Sequence, residues 1–367
     1  MSPTSRATRK NMSTKADQQR LLQWYLANRR ELPWRQNRNP YRIWISETML
    51  QQTTTTAVIP FFERFVERFP TLASLAAAKV EAVVAAWAGL GYYSRARNLH
   101  KSALALHAHG GFPRSHVELS QLPGFGPYTS RSVASLAFGE NVGVVDGNVI
   151  RVLARFEGRD WEWWKPKIRD QVQVRADAWV SGVLSQDMNQ ALMELGRTIC
   201  MPKSPACPLC PLRLSCLSLK QDAVALRPLP KPRRARETWA WEPELALKGG
   251  KILIRRNSQA PFLRGQWLLP GPARPLKKKP ARFDYRHSIT HHDIFVTVSL
   301  GVRTIQSDDK WIPLDELRHY IPASLVEKAL AHAPGGIGAA TRDVQTSAAA
   351  HSPVARKHRR RSANPRR

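Results

Sequence analysis

The sequence predicts a multidomain protein in which an all-α domain is followed by a smaller α/β domain. From Trp34 to about Ala225, apolar residues recur at helical spacing, and prolines and glycines separate the segments. Alternation typical of strands begins only after a basic, proline-bearing linker, at residues 244–248, 251–255 and 295–302. We therefore expect a disordered basic N-terminus (1–15), a helical domain (16–225), a linker (226–238), a second domain (239–331) and a disordered basic tail (332–367).

The charge balance limits the class of partner. Lys and Arg total 57 against 28 Asp and Glu, which gives a net charge of +29. Such an excess is typical of proteins that bind a polyanion, most simply nucleic acid, although the basic tail supplies part of it. No apolar run reaches the roughly eighteen residues of a membrane span, and the N-terminus has no apolar signal core. We expect a cytoplasmic protein without a membrane partner.

All cysteines lie in one short segment. Cys200, Cys207, Cys210 and Cys216 are separated by six, two and five residues. Four thiolates so close in sequence can converge on tetrahedral zinc or on an iron–sulfur cluster, whereas a pair of disulfides would suit a small secreted domain. Zinc sites usually contain two close pairs of ligands, and this segment contains one close pair between two single cysteines. The spacing therefore favours an iron–sulfur cluster.

Residues 40–53 contain the first candidate for catalysis. Glu47 has mostly large apolar neighbours, so burial should raise its pKa and allow it to act as an acid near neutral pH. A solvated helical glutamate is the ordinary alternative. Gln51 and Gln52 could hydrogen-bond base edges or fill a gap in a duplex, or they could lie on the helix surface.

Two later segments have features of nucleic-acid contact. Tyr92 follows two glycines and precedes two arginines, so it could wedge between bases while the arginines hold phosphates; a core tyrosine beside a solvated helix face is the alternative. Leu122-Pro123-Gly124-Phe125-Gly126 resembles a helix–hairpin–helix, in which glycines let backbone N–H groups approach a phosphate. The alternative is an ordinary connection between helices.

A further aspartate follows the hairpin by about twenty residues. Asp146 and Asn148 flank Gly147 directly before a helical face, so either could cap that helix. Capping alone would explain a lone aspartate. The functional interpretation is a carboxylate held beside a developing positive charge.

Together these segments resemble the adenine DNA glycosylase (MutY) family of the helix–hairpin–helix, or endonuclease III, superfamily. The resemblance extends over residues 20–220 or so. The matching segments fall in family order, and they are Trp34-Arg35, Ser46-Glu47, residues 49–53, residues 89–100, the hairpin, residues 146–148, residues 189–191 and the four cysteines.

The resemblance implies an enzyme that excises adenine opposite 8-oxoguanine or guanine in double-stranded DNA. Glu47 matches the general acid that protonates the purine at N7, and Asp146 matches the carboxylate that stabilises the oxocarbenium-like sugar. Tyr128 and Asn148 match residues that support this intermediate, and Arg35 matches an active-site arginine. The implied DNA contacts are Gln51, Gln52, Tyr92, Leu122, Gly124 and Gly126, with Tyr92 and Gln52 at the wedge positions.

Tyr128 bears on the reaction type. Bifunctional relatives have a Schiff-base lysine at this position, so the resemblance implies a monofunctional glycosylase. It also implies one structural 4Fe-4S cluster on the four cysteines, and we expect a monomer. A bifunctional glycosylase/lyase and a non-catalytic iron–sulfur DNA-binding protein are the alternatives; the second domain argues against the first, and the pair Glu47 and Asp146 argues against the second.

The second domain resembles the Nudix-like domain with which this family reads the 8-oxoguanine strand. It lacks a Glu-rich Nudix catalytic box, so nucleotide hydrolysis is not expected. Ile289-Thr290-His291 is the best match to the family's Phe-Ser-His tripeptide, so Thr290 and His291 are candidate lesion contacts. Two positions depart from the family pattern: Ile289 replaces an aromatic residue, and Arg131 stands where small residues are usual. Arg131 could extend the phosphate surface or crowd a helix contact.

Overall fold

The computed structural model describes residues 15–51, 53–232, 234–321 and 324–334. The predictions for the N-terminus, for the tail beyond residue 334 and for Gln52 fall outside these residues. The chain divides into two compact units between residues 233 and 234. The first unit is helical and the second is rich in strands, as the sequence predicts.

The first unit consists of helices, and no strand occurs among its described residues. The helices are α1 (Lys15–Asn28), α2 (Pro40–Met49), α3 (Thr55–Arg68), α4 (Leu72–Ala76), α5 (Val80–Ala86), α6 (Ser94–Ala108), α7 (His116–Ser120), α8 (Pro127–Phe138), α9 (Gly147–Phe156), α10 (Pro166–Val180), α11 (Ser185–Thr198) and α12 (Leu217–Lys220). Single 3-10 turns occur at Cys207–Leu209 and Val224–Leu226.

Two hydrophobic cores organise this unit. The first contains the apolar faces of α2, α3, α6 and α8, and the second contains those of α1, α9, α10 and α11. Helix α2 starts at Pro40 because Asn39 Oδ1 accepts a hydrogen bond from the Arg42 backbone N–H (3.1 Å) and proline is favoured in the first turn. Glu47 therefore lies on a helix of the first core, and Asp146 lies at the start of a helix of the second.

The second unit is built from three small sheets and two helices. The sheets have the orders β6-β1-β8-β7, β10-β4-β3 with β5 beside β4, and β2-β9; β1–β8 and β2–β9 are parallel, and the other pairs are antiparallel. The strands are β1 (Glu237–Trp241), β2 (Glu244–Leu245), β3 (Leu247–Lys248), β4 (Lys251–Arg256), β5 (Trp267–Leu268), β6 (Ala273–Leu276), β7 (Tyr285–Ile289), β8 (His292–Val296), β9 (Ser299–Leu300) and β10 (Lys310–Pro313), followed by α13 (Leu317–Tyr320) and α14 (Ser324–Ala331).

The strand expected over residues 295–302 is interrupted. Strand β8 ends at Val296 after pairing with β1, and β9 then pairs with β2. The break lies beside Pro243, between β1 and β2. Proline has no backbone N–H to donate to a hydrogen bond of the sheet. The N–H groups of Thr297 and Ser299 still donate to the carbonyl oxygens of Trp241 (3.1 Å) and Pro243 (3.0 Å), and the Val298 N–H donates to Asp284 Oδ2 (2.6 Å). Strand β1 begins at Glu237, within the segment that the sequence assigns to the linker.

Candidate active site

All four predicted catalytic residues line one cavity of the helical unit. This cavity has a volume of about 1000 Å³. Its lining includes Arg35, Glu47, Tyr128, Asp146 and Asn148, which come from the loop after α1 and from helices α2, α8 and α9. Residues far apart in sequence are thus gathered at the place where the two hydrophobic cores approach each other.

Glu47 is a buried acid that accepts a short hydrogen bond from Tyr128. It is 6% exposed, and the Tyr128 hydroxyl donates to its Oε2 over 2.5 Å. Burial raises the pKa of Glu47, and the nearby charge of Asp146 raises it further. The hydrogen bond from Tyr128 and the charge of Arg35 act in the opposite direction. The raised pKa favours the protonated carboxyl, as expected for an acid near neutral pH.

Asp146 is held by the start of helix α9. Its Oδ1 accepts from the Val149 backbone N–H (2.7 Å), and its Oδ2 accepts from Asn148 Nδ2 (2.8 Å). Burial raises the pKa of Asp146, whereas these N–H donors favour its charged form. The N–H donors thus favour a negative charge on Asp146, and that charge raises the pKa of Glu47. Asp146 is therefore both a helix cap and a carboxylate that faces the cavity.

A hydrogen-bonded chain connects Asp146 to the cysteine segment. Asn148 Oδ1 accepts from Arg151 (2.8 Å), and Arg151 also donates to the carbonyl oxygens of Gly196 (2.8 Å) and Cys200 (2.7 Å). This chain fixes the amide of Asn148 with its Nδ2 toward Asp146. The position of the carboxylate thus depends on the residues that begin the cysteine segment.

Gly196 is required for the close approach of α11 to Asn148. A Cβ at this position would lie 2.6 Å from Asn148 Cβ and 3.0 Å from the Asn148 backbone. Gly196→Ala should therefore lower the free energy of unfolding by about 1–3 kcal/mol through overpacking and should also slow catalysis by displacing Asn148. Urea denaturation measures the first effect. Gly147→Ala is the matched control, because a Cβ there meets no atom within 4 Å; an equal loss in both variants would contradict the packing argument.

Glu194 is a charged residue of this site that the sequence did not indicate. Its carboxylate is nearly buried and forms ion pairs with Arg30 (3.4 Å), Arg35 (3.6 Å) and Arg197. Arg35 is held in this way at the cavity wall, where its charge reaches Glu47. No feature of the sequence around Glu194 indicates that its carboxylate holds Arg35 in place.

Arg95 is one of the two arginines that follow Tyr92 and that the sequence suggests as phosphate ligands, but the structure gives it an internal role. Its guanidinium donates to the carbonyl oxygens of Thr48 (2.9 Å), Met49 (3.1 Å) and Gln51 (2.7 Å). It also reaches the carbonyl oxygens of Leu90 (3.2 Å) and Gly91 (3.4 Å). These bonds attach the C-terminal end of the Glu47 helix to the glycine turn before Tyr92, so Arg95 is a positioning residue.

The planar guanidinium of Arg95 provides a test of the contact between the end of α2 and the glycine turn. A lysine ammonium cannot reach five carbonyl oxygens in two directions, because its donors lie on one atom. Arg95→Lys should cost about 1–3 kcal/mol of folding stability, since buried acceptors lose their partners. Chemical denaturation measures this cost. Arg282→Lys at an exposed position should change stability little. An Arg95→Lys variant as stable as the wild type would contradict the role assigned to this guanidinium.

Tyr92 has the conformation and exposure that a wedge requires. Its φ is +49°, in the left-handed region that residues other than glycine seldom adopt, and the side chain is 55% exposed. The Arg95 guanidinium lies 5.6 Å from the centre of its ring. An exposed aromatic in a strained backbone position suits contact with another molecule better than the alternative of a core tyrosine.

The predicted hairpin joins helices α7 and α8. Gly124 has φ +83°, and a Cβ there would lie 2.4 Å from Ser102 Oγ, so no other residue fits without movement. Gly126 caps α8 and has no neighbour within 4 Å of its Cβ position. Phe125 is buried and stacks on Trp44 (5.7 Å between ring centres), and Leu122 packs on the same core. Phe125 and Leu122 therefore attach the hairpin to the hydrophobic core, and the backbone of Gly126 lies at the start of α8.

Two other predicted positions have internal partners. Gln51 Nε2 lies 3.4 Å from Thr129 Oγ1, a weak hydrogen bond that leaves its side chain half-buried. Arg131 donates to Asp177 Oδ1 (3.0 Å), which also accepts from the Gly143 backbone N–H (2.8 Å). Arg131 thus helps to hold the segment that leads to Asp146, and it neither crowds a helix nor lies unpaired on the surface.

Asn189 is a second positioning residue for this segment. It is fully buried, its Oδ1 accepts from the Val144 backbone N–H (2.8 Å), and its Nδ2 donates to Val142 O (2.8 Å). The two backbone bonds fix an extended segment that has no strand partner among the described residues. In the sequence, Asn189 is indicated only because residues 189–191 are one of the segments that resemble the adenine glycosylase family.

The four cysteines line one small cavity together with Arg155. The cavity measures about 30 Å³, and Arg155 lies 3.4 Å from Cys200 Sγ. Four cysteine sulfurs around one cavity are a donor set that fits an iron–sulfur cluster or a tetrahedral zinc ion.

Thr290 and His291 lie in the strand-rich unit. They form the two-residue turn between β7 and β8, where Ile289 pairs with His292. Thr290 is exposed, has φ +54° and donates to the Ile289 carbonyl oxygen (2.7 Å). Both side chains are at the tip of a hairpin, which is compatible with contact to another molecule.

The length and polarity of the helices bear on membrane insertion. Among the described residues, none combines the length and the apolar character needed to cross a bilayer.

Part of the helical unit is similar to known DNA repair proteins. Residues 45–178 match the HhH-GPD superfamily base excision DNA repair protein model. The adenine DNA glycosylase of Homo sapiens is 42% identical over 207 residues, covering 53% of this chain and 38% of that protein. The adenine DNA glycosylase of Buchnera aphidicola subsp. Schizaphis graminum is 36% identical over 219 residues, covering 59% and 63%.

A solved structure has the same helical fold. A thermostable thymine-DNA glycosylase matches with a TM-score of 0.52 at 27% identity, over 56% of this chain and 98% of that one. The chain spans less than two thirds of each of the two adenine glycosylases. Residues 45–178 are similar to the HhH-GPD superfamily, and the chain is similar to adenine DNA glycosylases over about half of its length.

Proposed function

We propose that this chain is a monofunctional adenine DNA glycosylase of base excision repair. Its substrate is double-stranded DNA with adenine opposite 8-oxoguanine or guanine, and the enzyme hydrolyses the N-glycosidic bond of the adenine. The observation that carries the proposal is one cavity lined by both Glu47 and Asp146, in a chain whose homologues are adenine DNA glycosylases. The volume of about 1000 Å³ leaves room for a nucleotide turned out of the duplex.

Glu47 acts as the general acid. Neutral adenine leaves poorly as an anion, so a proton must reach the base, at N7, as the bond to the sugar breaks. The raised pKa of Glu47 keeps its carboxyl protonated before the reaction. The Tyr128 hydroxyl then stabilises the carboxylate that forms, because it already donates to Oε2.

Asp146 stabilises the sugar. The departing base leaves an oxocarbenium-like ion, and a carboxylate at its face lowers the energy of that state. The N–H bonds from Val149 and Asn148 hold Asp146 charged and oriented before substrate arrives. Two carboxyls with opposite protonation states thus divide the acid and electrostatic roles.

The monofunctional assignment is supported by the nucleophiles of the cavity. Burial raises the pKa of Tyr128 well above its usual value, so Tyr128 remains a neutral phenol. Among the described residues that line the cavity there are arginines but no lysine. Without an amine, no Schiff base with the sugar can form, and a lyase step has no nucleophile.

The remaining parts follow the same proposal. Tyr92, Gln51 and the hairpin with Leu122, Gly124 and Gly126 form the DNA contacts, since the hairpin backbone can bind a phosphate at the start of α8. Cys200, Cys207, Cys210 and Cys216 hold one 4Fe-4S cluster that stabilises the fold of the cysteine segment. The strand-rich unit is a Nudix-like lesion reader that uses Thr290 and His291. We propose that the protein acts as a cytoplasmic monomer.

One experiment tests the proposal directly. Purified protein is incubated with a duplex carrying adenine opposite 8-oxoguanine and, in parallel, with one carrying thymine glycol. Strand breaks at the adenine only after alkali are expected, because an intact abasic strand remains after hydrolysis. Breaks at thymine glycol without alkali would indicate a bifunctional enzyme, and binding without any base release would indicate a non-catalytic protein.

Tyr128→Phe should shift the pH dependence of base release. The rate requires protonated Glu47 and ionised Asp146, so it should fall at high pH as Glu47 loses its proton and at low pH as Asp146 gains one. The Tyr128 hydrogen bond lowers the pKa of Glu47, so its removal should move the high-pH limb upward. Single-turnover rates across pH measure this shift, and a downward or absent shift would contradict the hydrogen-bond assignment.

A further inference from the structure

Two histidines and a glutamate converge at the turn of the β7–β8 hairpin. Successive residues of a strand normally point to opposite faces. Here Thr290 turns the chain with φ +54°, and the rings of His291 and His292 lie together, 3.9 Å between centres at 39°. Glu237 approaches them from β1, where it is paired with His292. The cluster therefore lies on paired strands and not on a long loop.

The distances within this cluster are those of ligands around an ion. His291 Nε2 lies 3.4 Å from Glu237 Oε1, and His292 Nε2 lies 3.5 Å from Glu237 Oε2. Both exceed the upper limit of about 3.2 Å for a good hydrogen bond. Ligand atoms at about 2.1 Å from a tetrahedral metal ion are about 3.4 Å apart. One ligand atom from each residue lies within 4.8 Å of the other two.

The surroundings keep the three groups in place and accessible. The Glu237 backbone N–H donates to the His291 carbonyl oxygen (2.9 Å), and Trp239 Nε1 lies 3.3 Å from Glu237 Oε2. His292 is 5% exposed and its Nδ1 is buried, so Nε2 is the ring nitrogen turned toward the cluster. The side chains of His291 and Glu237 are 20% and 42% exposed, so an ion can enter from solvent. The neighbouring Arg236 is bound to Asp293 through two hydrogen bonds (2.7 and 2.6 Å).

We propose that Glu237, His291 and His292 form a binding site for one zinc-class divalent cation. Two imidazole nitrogens and one carboxylate oxygen are a ligand set that zinc prefers, whereas magnesium and calcium prefer oxygen alone. Three protein ligands leave a fourth position for water or for an atom of another molecule. The site is separate from the cysteine segment and from the cavity of Glu47 and Asp146, and it shares His291 with the lesion contact proposed above.

Zinc binding to the full chain, purified with its cysteine segment loaded, tests this site. Zn²⁺ is titrated against a chromophoric chelator with the wild type, Glu237→Gln, His291→Ala and the control His287→Ala. His287 lies on β7 of the same hairpin but outside the cluster. We expect affinity to fall by at least about 100-fold in the first two variants and to be unchanged in the control. Far-UV circular dichroism verifies that each variant is folded.

Zinc K-edge absorption distinguishes this site from the cysteines. Nitrogen and oxygen neighbours at about 2.0–2.1 Å are expected in the one-equivalent complex, whereas zinc on the cysteines would show sulfur at about 2.3 Å. Sulfur neighbours would overturn the proposal. Equal affinity in the wild type and in folded Glu237→Gln and His291→Ala, or no binding by the wild type, would also overturn it.

Discussion

Glu47→Gln is expected to slow adenine release by about 10²–10⁴-fold, the usual contribution of a general acid. Glutamine has nearly the same shape, and its amide oxygen can still accept the hydrogen bond of the Tyr128 hydroxyl, which is 2.5 Å from the carboxylate in the wild type. The variant therefore removes the proton and little else. Single-turnover base release from a duplex with adenine opposite 8-oxoguanine measures the effect.

Stability provides the control for Glu47→Gln. Burial raises the pKa of Glu47 in the folded protein, so the native state keeps this proton more tightly than the unfolded chain. The resulting stabilisation is fully present below the unfolded pKa and is lost as pH rises through the folded pKa. Glutamine does not ionise, so the variant should be at least as stable as the wild type at alkaline pH.

The combination of these two measurements is decisive. A large loss of rate with retained stability and retained duplex binding supports Glu47 as the acid. A wild-type rate in the variant would exclude Glu47 from that role. Loss of both rate and stability would show that the carboxyl is needed for folding, contrary to the sign of its pKa shift.

Local chemistry made part of the site predictable from sequence. Glu47 was identifiable because large apolar residues surround it, and Asp146 because a capping residue before a helical face has a strong local signature. Gly124 was identifiable because a tight turn requires its positive φ. In each case the signal lies within a few residues of the position that it concerns.

Long-range contacts made the rest unpredictable. Arg95 binds carbonyl oxygens 44 to 47 residues away, and Arg151 binds those of Gly196 and Cys200, 45 and 49 residues away. The carboxylate of Glu194 meets arginines of a distant loop. Charged side chains of this kind are usually solvated, so only the fold reveals that they hold the ends of α2 and α9.

Long-range contacts also explain why the strand over residues 295–302 is interrupted, why β1 begins inside the expected linker, and why the histidine cluster was not predicted. Strand-like alternation over residues 295–302 predicted one strand, but the neighbouring segment of the sheet contains Pro243, and the pairing is interrupted there. Periodicity cannot reveal what lies on the neighbouring strand. Glu237 likewise meets His291 and His292 only through the parallel pairing of β1 with β8.

Asp146→Asn should have the second largest effect, a loss of about 10³-fold in the rate of adenine release. Asparagine removes the negative charge that stabilises the oxocarbenium-like sugar. It remains a good helix cap, so its side-chain oxygen can still accept from the Val149 N–H, which is 2.7 Å from Asp146 Oδ1. The cost in stability should be small, about 1 kcal/mol for the contact to Asn148.

The pH profile of Asp146→Asn separates this electrostatic role from a structural one. The charge of Asp146 raises the pKa of Glu47, so its removal should lower that pKa. The high-pH limb of the residual rate should then move to lower pH, opposite to the shift expected for Tyr128→Phe. The low-pH limb should disappear, because the group that titrates there is gone. A profile of unchanged shape with a proportional loss of rate would mean that Asp146 serves only as the cap of α9, and the two-carboxylate mechanism would then have to be abandoned.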